Sequence, residues 1–309
     1  MGKKTRVLTI VGPTAVGKSG LAVELARRFR GEIISADSMQ VYRGMDVGTA
    51  KMTREEMAGV PHHMMDILPP TERFSAGRFK TLARSIIADI TGRGMLPLVV
   101  GGTALYVRAL LYDYPLAQVA RDPRLRGQLQ RKAEREGPRS LHAILEEHDA
   151  DSARRIHPND LKRVIRAIEV HCKTGRTMTE WRRETPDEPA YDALKIGLCA
   201  RRDVLYERIN RRVDEMISRG LVAEVRHLME TFGALSSTAG QALGYREVIA
   251  YLEGEVDLDG CICKIKTHTR NFAKRQLTWF RADEDIQWVD ATSGKALEEA
   301  SARVASWMD

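Results

Sequence analysis

Along the first hundred residues the apolar positions switch between two periods. Val7 to Val11 is a short, nearly continuous apolar run that reads as a strand buried on both faces, and from Lys18 onward Leu21, Leu25 and Phe29 recur at helical spacing. Glu32 to Ala36, Pro61 to Ile67 and Leu96 to Val100 read as further strands, with a helix from about Ser75 to Thr91 before the last of them. This alternation predicts an α/β fold in which a parallel sheet is crossed by helices. Beyond Tyr114 and Pro115 the pattern changes. Asp122 followed by Pro123 reads as an N-cap with proline at the first helical position, and the helix they open stops at Gly137. Helices at about Arg139 to His148 and Asn159 to Thr174 follow, the second closed by Gly175. The strand pattern returns at Leu194 to Cys199 and near Ile286 to Val289, with helices at about 203 to 219, 221 to 231, 241 to 253 and 257 to 281.

The organisation expected is therefore a P-loop parallel-sheet core with an all-helical insertion domain. Residues 1–114 form the first part of the core, 115–190 the insertion, and 191–309 the second part, ending in basic helices. Thr185 to Ala190 reads as a linker.

The first strand and helix enclose the most specific chemistry. Gly12, Pro13, Thr14, Ala15, Val16, Gly17, Lys18 and Ser19 carry the spacing of a phosphate-binding loop in its proper strand-to-helix context. Its glycines let successive N–H groups turn inward on phosphate oxygens, and the following helix adds the positive end of its dipole. Lys18 is placed to reach the terminal phosphates and the Ser19 hydroxyl to ligate Mg²⁺. Asp37, at the end of the second strand, either faces the bound phosphate compound or caps the next turn. Asp66 holds the same position on another strand and is a weaker candidate for reaching the metal through water. His62 and His63 point to opposite faces of that strand and read as hydrogen-bonded structural residues. Gly101, Gly102 and Thr103 form a second turn at a strand's carboxyl end, where ligands of open α/β sheets collect.

Charge narrows the choice of ligand. The chain of 309 residues carries a net charge of +7. Residues 261 to 282 contain Lys264, Lys266, Arg270, Lys274, Arg275 and Arg281 with no acidic residue, and Lys266, Arg270 and Lys274 recur at the spacing of one helix face. A second basic region runs from Arg154 to Arg183. Two such regions point to a polyanion longer than one nucleotide, against the alternative of solvated basic faces. Cys172, Cys199, Cys261 and Cys263 form no CxxC pair, and Met1 to Arg6 lead into the first strand without an apolar signal region. A cytoplasmic protein without structural disulfides, membrane anchor or zinc site is expected.

Three blocks of residues resemble the bacterial tRNA dimethylallyltransferases: Gly12 to Ser19, Ser35 to Lys51, and Gly101 to Tyr106. The likeness continues through Ile156 to Asp160, Ala242 to Arg246, and Arg270 to Trp279. The second block is the most specific, since phosphate-binding loops serve many functions. The resemblance implies transfer of a dimethylallyl group from its diphosphate to N6 of the adenine beside the anticodon, with Mg²⁺ as cofactor and a monomeric enzyme. It makes Asp37 the general base and places Thr103 against the RNA. It also puts Asp37, Ser38, Met39 and Gln40 on the target nucleotide. Arg126, Lys162, Arg163, Val164, Ile165 and Arg166, together with Gln241, Ala242, Leu243, Gly244, Tyr245 and Arg246, are implied on the tRNA anticodon stem-loop, joined by Arg270, Lys274 and Arg275 from the basic helix. A small-molecule kinase would use the same loop but leaves the basic insertion unexplained. A noncatalytic RNA-binding protein needs no Lys18, Ser19 and Asp37 at strand ends. An adenylate prenyltransferase, acting on a free nucleotide, is the nearest rival within the resemblance.

Overall fold

The computed structural model describes residues 4–114, 119–184, 186 and 188–309. Six strands form one parallel sheet in the order β3-β2-β4-β1-β5-β6. They are β1 (Arg6–Val11), β2 (Gly31–Ser35), β3 (His62–His63), β4 (Leu96–Gly101), β5 (Asp192–Cys199) and β6 (Gln287–Asp290). The chain separates into two compact units, one of residues 1–111 with 190–309 and one of residues 112–189. The expected boundary at Pro115 and the linker residues Thr185 and Asp187 lie outside the described residues. Among those described, no helix is long and apolar enough to cross a membrane.

Register explains how the sheet presents its core. Ile33, Leu98, Leu8 and Leu194 are aligned across four strands, and all are buried. This face is covered by α1 (Lys18–Arg28) and by the C-terminal α13 (Ala296–Met308) through Ala22, Leu25, Ala300 and Val304. A right-handed crossover from β1 leftward to β2 places α1 here, whereas the connection that runs rightward from β3 to β4 places α2 (Ala76–Gly92) on the opposite face. α3 (Ala104–Leu111) leaves β4 and packs on α2, and α9 (Arg202–Ser218), α10 (Leu221–Phe232), α11 (Tyr245–Leu252) and α12 (Leu258–Arg281) follow β5. The loops leaving β1 and β4 thus diverge at the carboxyl edge, which opens the crevice where such sheets bind ligands.

The third strand is shorter than its apolar pattern predicts. Met64 and Asp66 adopt left-handed φ angles of 67° and 54°, which end β3 after His63. Asp66 is engaged within the fold. Its carboxylate accepts a 2.5 Å hydrogen bond from the buried Lys51 ammonium, which also donates to Asp46 and to the Tyr42 carbonyl. His62 Nδ1 lies 2.8 Å from the Val60 carbonyl oxygen, and His63 Nε2 lies 2.7 Å from Glu32, so each imidazole has a hydrogen-bond partner within the fold.

Among its described residues the second unit has helices and no strand: α4 (Pro123–Glu136), α5 (Pro138–His148), α6 (Ala150–Arg155), α7 (Leu161–Thr174) and α8 (Met178–Arg183). Asp122 caps α4 by accepting from Arg124 and Leu125 N–H, and Gly175 closes α7 in the left-handed conformation. Two short helices, α6 and α8, escape the periodic pattern. Asp149 ties them together, accepting the N–H and hydroxyl groups of both Ser152 and Thr179. Leu129, Leu141, Leu145, Val164 and Ile168 make the core. Glu169, fully buried on α7, accepts from Arg126 at 2.8 and 2.7 Å, from Arg166 at 2.6 Å and from the Asp122 N–H at 2.7 Å. Burial alone would raise its carboxyl, but these donors hold it down at about 2. The stabilisation is complete above the ordinary glutamate range and is lost as pH falls from there toward 2. Glu169→Ala is expected to destabilise the protein by about 2 kcal/mol, a value discounted because both arginines keep some solvent contact. Urea denaturation at pH 7 measures it, and equal wild-type and variant midpoints would refute the clamp.

Candidate active site

Three loops meet at the carboxyl edge of β2, β4 and β1. The loop after β1 turns at Gly12, where a φ of 144° and the Leu198 carbonyl oxygen, 2.5 Å from where a Cβ would stand, exclude any side chain. Ala15 takes a positive φ of 63°, Val16 is buried, and α1 starts at Lys18 behind Gly17. Loop N–H groups and the first turn of α1 therefore sit at one place. The Lys18 ammonium donates to the Pro13 carbonyl at 2.6 Å, and Ser19 lies exposed in the same helical turn.

The loop after β2 is bound to the one after β4. Ala36 N–H donates to the Val100 carbonyl, Thr103 N–H to the Ala36 carbonyl, and Ser38 N–H to the Thr103 hydroxyl at 3.1 Å. Asp37 both caps this turn and keeps a carboxylate oxygen for other partners. Its Oδ1 accepts from Met39 N–H at 2.8 Å. Gln40 accepts from the Ser35 hydroxyl at 2.8 Å and donates to the Thr49 carbonyl, which locks the end of the turn. Gln276 of α12 then joins the first and third loops. Its carboxamide accepts from Thr14 N–H and donates to the Gly102 carbonyl, both at 2.9 Å, while Gly102 leaves no room for a Cβ beside it.

Two arginines of α9 complete the cluster. Arg208 donates to the Val16 carbonyl at 3.4 Å and Arg212 to the Thr14 hydroxyl at 3.3 Å. Their four-residue spacing puts both on one helix face, and that spacing is the only sequence signal that points to them. Burial pulls the Lys18 ammonium down to about 7, Arg212 pushes the same way, and Asp37 opposes both. Burial likewise lowers Arg212, against the pull of Asp37 and Glu215. Lys18, Arg212 and Asp37 therefore share one electrostatic environment in which cationic charge is held at a cost and an added anion relieves it. Among the described residues no group of three or more His, Cys, Asp or Glu could hold a metal. A divalent ion here would rely on the Ser19 hydroxyl, ligand oxygens and water, a donor set that fits Mg²⁺.

The remaining expected contacts separate by burial. Gln241 is exposed and Leu243 half-buried, but Ala242, Gly244 and Tyr245 are buried. Tyr245 is not a surface residue: its hydroxyl donates to Glu224 of α10 at 2.5 Å, and Glu224 also accepts the N–H groups of Asp46, Val47 and Gly48. Arg246 is paired with Glu247 at 2.5 Å. The basic stripe of α12 also differs from expectation. Lys266 reaches Asp214 and Arg270 reaches Asn210 at 2.8 Å, so this stripe binds α9, and Lys274 and Arg275 are the exposed pair. In the helical unit Lys162 and Arg163 are exposed on α7. Val164 and Ile165 are buried in its core, because they fall on the apolar face of the helix, and Arg126 and Arg166 are engaged by Glu169.

Comparison with known proteins places this geometry. A family model described as IPP transferase matches residues 40–283, and one described as isopentenyl transferase matches residues 5–67. The tRNA dimethylallyltransferase of Carboxydothermus hydrogenoformans is 49% identical over 301 residues, covering 97% of this chain and 96% of that protein. That of Bacillus subtilis is 48% identical over 295 residues, covering 96% and 94%. The solved full-length tRNA isopentenylpyrophosphate transferase from Bacillus halodurans superposes with a TM-score of 0.74 at 44% identity, covering 99% of this chain and 97% of that one. A eukaryotic dimethylallyltransferase solved acting on tRNA gives a TM-score of 0.80 at 32% identity, over 97% of this chain and 77% of that one. The chain, an α/β protein with a phosphate-loop sequence and a cationic cluster at its sheet edge, belongs to the IPP transferase family of prenyltransferases.

Proposed function

We propose that the protein transfers the dimethylallyl group of dimethylallyl diphosphate to N6 of the adenine 3′-adjacent to the anticodon of tRNA, releasing diphosphate. The observation that carries this reading is the convergence of Lys18 and Arg212 on the surroundings of Asp37, with Thr103 in the adjoining turn. Family membership over nearly the whole chain supports it. Breaking the C1–O bond of an allylic diphosphate builds positive charge on carbon and negative charge on the leaving oxygens. Lys18, Arg212 and the N–H groups of the Gly12 to Ser19 loop stabilise those oxygens as they charge. The Ser19 hydroxyl, with oxygens of the diphosphate, would hold Mg²⁺, which when bound would supply further Lewis-acid stabilisation. The adenine amine is a poor nucleophile because its lone pair is delocalised. As the N6–C1 bond forms, N6 loses a proton to the Asp37 carboxylate. The Thr103 hydroxyl, which accepts from Ser38 N–H, keeps its own proton to donate to the acceptor.

A stacked anticodon-loop base cannot bring N6 to Asp37, so the adenine is extruded into the site, where Ser38, Met39 and Gln40 line its approach. Lys162 and Arg163 of the helical unit, with Lys274 and Arg275 of α12, supply phosphate contacts to the anticodon stem-loop. Gln241 and Leu243 of the turn before α11, with Arg246 in its first turn, add contacts. The enzyme works as a cytoplasmic monomer.

The decisive experiment is mass spectrometry of nucleosides from unmodified tRNA, and separately of AMP, after incubation with the protein, Mg²⁺ and dimethylallyl diphosphate. Prenylated adenosine from tRNA alone is expected; product from AMP alone would replace this reading with a free-nucleotide one. Asp37→Ala is expected to lower single-turnover transfer by about 10² to 10⁴ while tRNA binding stays intact, and near-normal turnover would remove Asp37 as the base. Neutralising Lys162 and Arg163 together should reduce the slope of log affinity against log salt by about 1 per side chain, which a filter-binding series measures. The Lys18 amine, about half protonated near pH 7 in the free protein, should be fully charged against diphosphate. Binding of inorganic pyrophosphate at pH 8 should therefore take up protons and weaken as pH rises. Calorimetry in two buffers of different ionisation enthalpy reads this directly, and zero proton uptake would refute it.

A further inference from the structure

Trp279 stands out on the surface of α12. At 43% relative exposure it is among the most exposed large apolar residues described, and Leu105, at 42%, is another. Their positions are related to the site. Gln276, one turn before Trp279, is the buried residue whose carboxamide donates to the Gly102 carbonyl, and Leu105 lies two residues beyond Thr103 on α3, which packs on α12. Phe272, Arg275 and Trp279 follow one another at i, i+3 and i+7, so they share the flank of α12 beside Gln276. The Arg275 guanidinium lies 5.8 Å over the Phe272 ring, and the exposed Lys274 and Arg281 add charge to the same helix. This is an aromatic face in a cationic setting, next to the turn that carries Thr103.

We propose that Trp279 is a stacking platform for an unpaired base of the substrate RNA adjoining the base that is prenylated. The inference rests on tRNA being the acceptor. An indole left in water favours covering by a flat apolar partner, and a nucleobase is one that brings its own phosphates to Lys274 and Arg275. The charge pattern selects this occupant over a second copy of the chain. The exposed Lys274, Arg275 and Arg281 carry the charge around Trp279, and residues 261 to 282 contain no carboxylate, so two such faces repel. Extruding the target adenine also unstacks its neighbour, which then gains most from a new aromatic surface. Trp279 acts here as a binding residue and takes no part in the chemical step.

The test compares wild type, Trp279→Ala and Trp279→Phe in steady-state transfer to an unmodified tRNA transcript. Trp279→Ala should raise the tRNA KM about tenfold, with the dimethylallyl diphosphate KM unmoved, and Trp279→Phe should recover most of the loss because a ring still stacks. Indole fluorescence should be quenched on tRNA addition in the wild type and largely spared in Trp279→Ala. An unchanged tRNA KM in Trp279→Ala, beside an active wild type, overturns the proposal and leaves the tRNA reading standing. Equal losses in the two variants overturn stacking, and a wild-type dimer that Trp279→Ala converts to a monomer assigns the face to self-association instead. A wild type that prenylates AMP and not tRNA removes the premise itself.

Discussion

The two hydrogen bonds of one buried carboxamide hold the site in register. Gln276 spans from the Thr14 N–H to the Gly102 carbonyl, and so fastens the loop after β1 to the loop after β4. Arg208 and Arg212 of α9 also hold the loop after β1, and the turn after β2 holds the loop after β4, but the carboxamide bridges the two directly. Because the carboxamide is buried, removing either partner would leave an amide group desolvated and unpaired, a cost of about 1–3 kcal/mol that disfavours any parting of the loops. The same residue anchors α12 to the sheet edge, which sets where the exposed flank of that helix stands. The phosphate contacts and the acceptor turn depend on this fixed spacing, since small misplacements of reacting groups carry large rate penalties.

Around that brace the charges are arranged against themselves. Lys18 and Arg212 lose solvation and repel, with Asp37 opposing the effect on both and Glu215 on Arg212. Such a cluster is less stable empty than it is with an anion, so part of the folding free energy is held in reserve for ligand binding. The loop geometry serves the same end. Gly12 and Ala15 accept unusual backbone angles that shape the turn into α1. Positioning by packed elements, rather than by mobile side chains, keeps the N–H dipoles of the loop oriented without reorganisation.

The fold was largely legible because its signals are local. The Asp122 cap, the glycine stops at Gly137 and Gly175, and the apolar runs of β1, β4 and β5 each act within a few residues. Where partners come from far along the chain, the pattern falls silent or misleads. The helices α6 and α8 depend on Asp149, whose bonds to Ser152 and Thr179 have no periodic trace. Asp66 has the spacing of a strand-end ligand, but the buried Lys51 claims it. Within the site, the Gly12 to Ser19 loop and the Asp37 and Thr103 turns could be read directly, while Arg212 and Gln276 could not, since residue type alone gives a side chain no direction. Arg270 shows the converse: its charge was evident, and its partner Asn210 was hidden.

Glu224 grips the segment from Asp46 to Gly48 by main-chain N–H groups alone, with the Tyr245 hydroxyl as its fourth donor. Main-chain recognition is blind to side-chain identity, so Val47 is free to drift in sequence without loosening the grip. Gly48 is not, because the Tyr245 ring and Leu221 occupy the space a Cβ would need. Tyr245, Glu224 and Gly48 thus form a set whose members constrain one another across the chain. Among descendants of this protein, a change at one should appear only with a compensating change in the ring or the carboxylate that meets it.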